Sequence, residues 1–185
     1  MKKIKEIRYA GSRSSEETKS ERAHRELSAK AAAEGMVLLE NNGMLPLIKR
    51  GNIALSGPGA RHTVTGGTGS GDVHERYSVN IEKGLKSAGF QITTEKWLDA
   101  YDAAEEIRKK AYYTDIYGRA QKMSAEKGIS LDQALVQVYL HSPAYIPEPG
   151  ELPDEADLET NDAEAAIYVL VRNAGEGKDR SDGEG

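Results

Sequence analysis

The sequence predicts an α/β fold, with a partial, mostly parallel sheet of about three strands flanked by helices. Three short runs have strand character: residues 52–57, 91–97 and 165–171. Long stretches of helical patterning separate these runs, and parallel strands need such crossovers because successive strands point the same way. The carboxyl ends of the strands therefore meet at one edge of the sheet, where open α/β sheets bind their ligands.

The first part of the chain combines a polar lead-in with an alanine-rich helix. Residues 1–20 are polar and aperiodic, which predicts a flexible lead-in, and residues 21–185 are assigned to one α/β domain. The helix is predicted to begin at Ser20 as its N-cap and to end by Gly43. Its buried face is expected to hold Leu27, Ala31, Val37 and Leu38.

Residues 44–97 are predicted to form a turn, a strand, a helix and a second strand. The turn surrounds Pro46. The apolar residues expected to pack against the core beside it are Leu45, Leu47 and Ile48. The strand at 52–57 runs into Gly-Pro-Gly, and the helix at 77–90 is closed by Gly89. The buried side of that helix is expected to hold Val79, Ile81, Leu85 and Ala88.

Residues 99–160 are predicted to be a helical insertion followed by a connection rich in proline and acidic residues. Helical patterning dominates residues 99–142, with an N-cap at Ser130. Residues 143–159 carry four prolines and many acids, which indicates an extended surface connection. The last strand has few residues after it to supply a neighbour, so we expect the domain to be incomplete at its C-terminus.

Composition excludes several classes of function. The net charge of −5 and the pI of about 5.5 argue against nucleic acid or an anionic membrane as a partner. The chain has no cysteine, and its four histidines lack ligand spacing, so neither a metal site nor a cofactor is expected. No apolar run approaches the length of a membrane span, and no secretory signal is recognisable. We therefore expect a cytoplasmic protein.

A glycine-rich loop, residues 61–76 (RHTVTGGTGSGDVHER), follows the first strand. It lacks the Lys-Ser/Thr pair of a phosphate-binding P-loop, and no start position gives the pattern G-x-G-x-x-G. Three interpretations stay open. The loop could contact substrate, it could be a structural turn that needs the positive φ angles of glycine, or it could bind a nucleotide.

A single glutamate stands between two glycines after the last strand, in the sequence Gly175-Glu176-Gly177. A glutamate in such a loop is most often solvated. Its flanking glycines allow turns that aim the side chain away from the sheet, and they permit the loop to move over a substrate. Asp179 and Arg180 most simply form a local ion pair.

Four sequence blocks together resemble the α/β sandwich domain of glycoside hydrolase family 3, which includes β-glucosidases and β-xylosidases. They occur in the family's order and cover about half of the chain. The blocks are residues 24–47, 53–60, 63–73 and 169–180. Residues 99–160 match no part of the family pattern.

The resemblance implies a retaining β-glycosidase that pairs a sandwich of the (α/β)6 type with a (β/α)8 barrel. The barrel supplies an aspartate nucleophile, and Glu176 lies at the position resembling the acid/base residue. The glycine-rich loop resembles the one bordering the leaving-group side of the pocket. The residues it implies for substrate binding are Gly67, Thr68, Gly69, Ser70, Asp72 and Val73. The implied partners are a β-linked oligosaccharide or aryl glycoside and the missing barrel.

Two departures from the family pattern shape the functional hypothesis. No barrel precedes the matching blocks, which resembles the minority order in which the sandwich comes first. The sequence given also stops inside the acid/base loop, so we expect the later strands and the barrel to be missing from this chain. We expect a fragment of a β-glycosidase that is inactive alone. The alternatives are a non-catalytic carbohydrate-binding or interaction module on the same scaffold, and a nucleotide-binding α/β protein.

Overall fold

The structure, a computed structural model, describes residues 15–66, 75–143, 145, 147 and 162–172. These residues fall into two compact units, one ending at Ile48 and the other beginning at Lys49.

The first unit contains helix α1 (Lys19–Glu34), whose cap lies two residues before the predicted one. Thr18 is the N-cap, because it forms a reciprocal capping box with Glu21. The Glu21 backbone N–H donates to the Thr18 hydroxyl (3.1 Å), and the Thr18 N–H donates to the Glu21 carboxylate (2.7 Å). The cap predicted at Ser20 was wrong because it overlooked this pairing.

The predicted packing of residues 27–48 was also wrong. Gly35 caps α1, so the helix stops before Val37 and Leu38, and no residue of α1 is buried. Leu39 and Ile48 are more than nine-tenths exposed. Leu45 is exposed as well, and Leu47 is only half-buried. An apolar pattern shows that residues can be buried, but it does not identify the surface that would cover them.

The second unit is built on a three-stranded parallel sheet. Its strands are β1 (Asn52–Ser56), β2 (Gln91–Ile92) and β3 (Ala165–Tyr168), in the order β2-β1-β3. In the central strand, Ile53 and Leu55 are 2% and 0% exposed. This confirms the predicted α/β class and the partial parallel sheet of about three strands.

The helices of this unit are α2 (Ile81–Ser87), α3 (Glu95–Lys127) and α4 (Leu131–Leu140). The helix predicted over 77–90 is shorter because Asn80 caps it, accepting a hydrogen bond from the Lys83 N–H (2.8 Å). The buried side predicted for it was wrong. The buried residue of this helix is Glu82. Ile81 and Leu85 are half-buried, whereas Val79 and Ala88 are exposed.

The predicted helical insertion forms a hairpin of α3 and α4. Ser130 caps α4 through a capping box with Gln133, as predicted. Gly128 ends α3 with a positive φ of 64°. The apolar core of the hairpin consists of Ile116, Ala120, Ala134 and Val138. None of the helices described here is both long enough and apolar enough to cross a membrane.

A threonine side chain takes the place of a strand beside β1. The strand predicted over 91–97 ends at Ile92, and α3 begins at Glu95. Beyond this early end, the hydroxyl of the buried Thr94 accepts from the Leu55 N–H (2.8 Å) and donates to the Leu55 carbonyl (2.5 Å). One side chain therefore satisfies two main-chain groups of the central strand.

Replacing Thr94 with Val is expected to lower the free energy of unfolding by about 1–3 kcal/mol, because two buried main-chain groups lose their partner while the side-chain shape is kept. Urea denaturation followed by circular dichroism measures this. Thr93→Val is the matched control, since the Ile53 carbonyl that accepts from the Thr93 hydroxyl (3.2 Å) also accepts from the Thr93 N–H (3.0 Å). Equal losses in the two variants would contradict the role given to Thr94.

Candidate functional site

The order in which strands are added to the sheet reverses at β1, between β1 and β3. The chain passes from β1 to β2 on one side and then crosses to β3 on the other side. The segments that leave the carboxyl ends of β1 and β3 therefore start side by side. In open α/β sheets such a switch point leaves a crevice where ligands bind. Both loops singled out in the sequence leave the sheet here.

The two exit segments are hydrogen-bonded to each other at their base. The Val169 N–H donates to the Ser56 carbonyl (2.9 Å), and the Gly59 N–H donates to the Val169 carbonyl (3.0 Å). Gly57 has a φ of +91°, and a Cβ added to it would lie 2.6 Å from the Val169 carbonyl oxygen. Only glycine permits this approach, so the Gly-Pro-Gly sequence fixes where the two loops begin.

Arg61, just after this base, is surrounded by three carboxylates. Its Nε lies 2.7 Å from Oε2 of Glu82, and its Nη1 lies 2.7 Å from Oδ1 of Asp99 and 2.9 Å from Oδ2 of Asp102. The Arg61 side chain is 19% exposed. It therefore joins the β1 exit to α2 and to the first turns of α3.

The pairing of Arg61 with Glu82 changes the pKa of both groups. Hydrogen bonding to Glu82 raises the pKa of Arg61, and hydrogen bonding to Arg61 lowers the pKa of the buried Glu82 carboxyl. Because the pKa of Glu82 is lowered in the folded state, its stabilising effect is present at neutral pH. That effect is lost as the pH falls through the lowered pKa.

Further polar contacts surround this ion cluster. The His62 Nε2 lies 2.8 Å from Oδ1 of Asp102, so the Asp102 carboxylate contacts both Arg61 and His62. Lys86 pairs with Glu82 (2.8 Å) on the other side. In the parts of the chain that the structure describes, no group of three or more His, Asp or Glu side chains is arranged to hold a metal ion.

The described residues on both sides of the glycine-rich stretch are held to each other. The Thr63 hydroxyl donates to the Gly59 carbonyl (2.6 Å) and accepts from the Ile81 N–H (3.1 Å). The Thr65 hydroxyl donates to the Glu75 carboxylate (3.2 Å). The connection between β1 and α2 therefore leaves and returns at nearby points.

The residues predicted for catalysis and substrate binding lie outside the described residues. Glu176 belongs to residues 173–185, and Gly67, Thr68, Gly69, Ser70, Asp72 and Val73 belong to residues 67–74. The structure describes the residues that precede and follow 67–74, and it describes the β3 exit as far as Arg172. The roles of these seven residues remain predictions.

Sequence patterns did not predict the contacts of Arg61 with its three carboxylates. Asp99 and Asp102 lie 38 and 41 positions after Arg61 in the chain. No local pattern joins residues at that separation. The weak signal available was an arginine directly after the predicted strand exit, at the edge where ligands bind.

Comparison with known proteins identifies the class that this architecture defines. Parallel strands joined by helical crossovers are the features of an α/β domain, and the strand order reverses at β1. Residues 36–184 match the sequence family described as the glycosyl hydrolase family 3 C-terminal domain. The chain belongs to glycoside hydrolase family 3.

Two relatives extend this result. β-Glucosidase A from Butyrivibrio fibrisolvens is 36% identical over 160 residues, which are 85% of this chain and 16% of the relative. The structure of β-glucosidase 3B from Thermotoga neapolitana in complex with glucose superposes with a TM-score of 0.51 at 31% identity, covering 86% of this chain and 19% of that one. This chain therefore spans less than one fifth of either relative.

Proposed function

We propose that this chain is the part of a retaining β-glycosidase that supplies the acid/base glutamate and the loop on the leaving-group side of the sugar site. One observation supports this most directly. The exit segments of β1 and β3 are hydrogen-bonded to each other at the switch point of the sheet, through Val169, Ser56 and Gly59. The two sequence segments that resemble the family's functional loops continue from this base.

The proposed chemistry needs two carboxyl groups roughly 5 Å apart, one ionised to attack the sugar and one protonated to donate to the leaving oxygen. Glu176 is proposed as the donor. In the second step it takes a proton from water. The nucleophile is proposed to be an aspartate of a (β/α)8 barrel, so the activity depends on a barrel being joined to this chain or bound to it. The proposed substrates are β-linked oligosaccharides and aryl β-glycosides.

A chimera tests this proposal. In β-glucosidase A of B. fibrisolvens, the matched 16% of that enzyme is replaced by this chain. We expect the chimera to hydrolyse an aryl β-glucoside and this chain alone to leave it intact. A folded chimera without hydrolysis would contradict the catalytic role and favour a non-catalytic carbohydrate-binding module. Glucose binding by this chain alone, measured by calorimetry, would then identify that module.

The glycine-rich loop is tested by Gly69→Val. If this glycine allows the main chain to approach a sugar, a β-branched side chain should raise the KM of the chimera for disaccharides by about tenfold, which equals roughly 1.4 kcal/mol of binding. Steady-state kinetics on disaccharides and aryl glycosides measures this. A melting temperature equal to that of the parent chimera is the control for folding. An unchanged KM for every substrate would remove the loop from the site.

A further inference from the structure

We propose that Arg61 is a positioning residue: it fixes the connection between β1 and α2, and thereby the leaving-group side of the sugar site. This inference rests on the proposed function for its catalytic meaning. Its structural content, that one side chain holds together the two described ends of the connection, stands on the contacts of described residues.

The Arg61 guanidinium donates hydrogen bonds from two of its edges. Nε and Nη2 both reach the Glu82 carboxylate, at 2.7 and 3.3 Å. Nη1 reaches Asp99 and Asp102. A planar fork held on two helices fixes direction as well as distance, which a lysine ammonium does not do.

The main chain at Arg61 is held as firmly as its side chain. The carbonyl of Ala60 accepts from the Glu82 N–H (3.0 Å), and the carbonyl of Arg61 accepts from the Asn80 side-chain amide (3.1 Å). Asn80 is also the cap of α2. The departing and returning ends of the connection therefore meet at Arg61.

The ion cluster at this point of the connection is partly shielded from solvent. Because the Arg61 side chain is 19% exposed and Glu82 is 9% exposed, solvent and salt screen their pairing only weakly. This cluster is therefore suited to hold the two described ends of the connection together.

Hydrogen exchange on the full chain tests the structural content. In Arg61→Met, we expect the amides of Ile81 and Glu82, which hydrogen-bond to the connection, to exchange about tenfold faster. The amide of Ala134 in the α3–α4 hairpin is the internal reference and should keep its rate. The matched control is Arg119→Met, which removes an exposed ion pair with Asp115 within α3 and should change neither region.

Asp102→Asn covers the case in which Arg61→Met does not fold. It weakens the α3 side of the cluster and keeps the Arg61–Glu82 pair, so a smaller acceleration of exchange is expected at the same amides. Equal acceleration in the connection and the hairpin would mean general destabilisation and would overturn the positioning role. No acceleration in either folded variant would overturn it as well.

Kinetics in the chimera tests the catalytic meaning. Arg61→Met should raise the KM for disaccharides about tenfold and leave kcat within about twofold, with Arg61→Lys between the two enzymes. A fall in kcat with unchanged KM would overturn the assignment to the leaving-group side. An inactive parent chimera with the expected exchange pattern would contradict the proposed function alone, because the structural result does not depend on activity.

Discussion

Glu176→Gln is expected to slow formation of the glycosyl-enzyme by a factor that depends on the leaving group of the substrate. Disaccharides need a proton on the glycosidic oxygen and should lose about 10²–10⁴-fold in kcat/KM in the chimera, the usual contribution of general acid catalysis. Activated aryl glycosides need little such help and should still form the glycosyl-enzyme quickly. The second step should then stall, because no base remains to activate water. Stopped-flow kinetics should show a burst of the released phenol, because the first step is fast and the second is slow.

Azide provides the positive control for this variant. It attacks without losing a proton, so it should restore turnover and yield a glycosyl azide of retained configuration. Asp179→Asn is the matched control, since it removes a neighbouring acid from the same segment and should leave the dependence on the leaving group unchanged. If Glu176→Gln slows all substrates equally and azide has no effect, the acid/base residue lies elsewhere, with Asp179, Asp182 and Glu184 as the next residues to test.

Gly57→Ala is expected to have the largest effect on stability, about 2–5 kcal/mol of destabilisation. Its positive φ of 91° disfavours any side chain by about 1–2 kcal/mol, and the added methyl group would lie 2.6 Å from a main-chain oxygen of Val169. The oxygen belongs to the β3 exit, which cannot move without breaking its bond to Gly59. Thermal or urea unfolding measures the loss.

Gly118→Ala is the matched control for that substitution. Gly118 lies on the exposed side of α3, where an added methyl group meets nothing within 4 Å. It should stabilise the helix by about 0.5–1 kcal/mol, because alanine loses less conformational freedom there than glycine. If Gly57→Ala were as stable as Gly118→Ala, the two loops would not be joined at their base as described.

Sequence patterns predicted the features that depend on neighbouring residues. The helical content of residues 99–142 follows from helical periodicity and from the cap at Ser130, whose capping partner is three residues away. The parallel sheet follows from short apolar runs between long crossovers. The family resemblance rests on the same kind of local signal, and the match to residues 36–184 confirms it.

Features that join distant residues escaped prediction. The hydroxyl of Thr94 replaces a strand partner for Leu55, 39 positions away, and nothing around Thr94 indicates it. The carboxylates of Arg61 are equally remote in sequence. The apolar residues 36–39 and 44–48 show the opposite case, since their local pattern is clear but most of their side chains are exposed. Periodicity describes what a segment can bury, and the surface that covers it is a property of the whole fold.

The pairing of β1 with β3 has a consequence for the order of folding. Ile53 lies beside Ala165, so forming this ladder closes a loop of roughly 110 residues, a far larger entropic cost than closing the α3–α4 hairpin. We expect the hairpin to form early and β3 to join late. During synthesis at about 5–20 residues per second, β1 waits about 5–20 s after leaving the ribosome for its second neighbour to be made. The two exits can hydrogen-bond to each other only once that neighbour has docked, so the base of the proposed sugar site forms later than the α3–α4 hairpin.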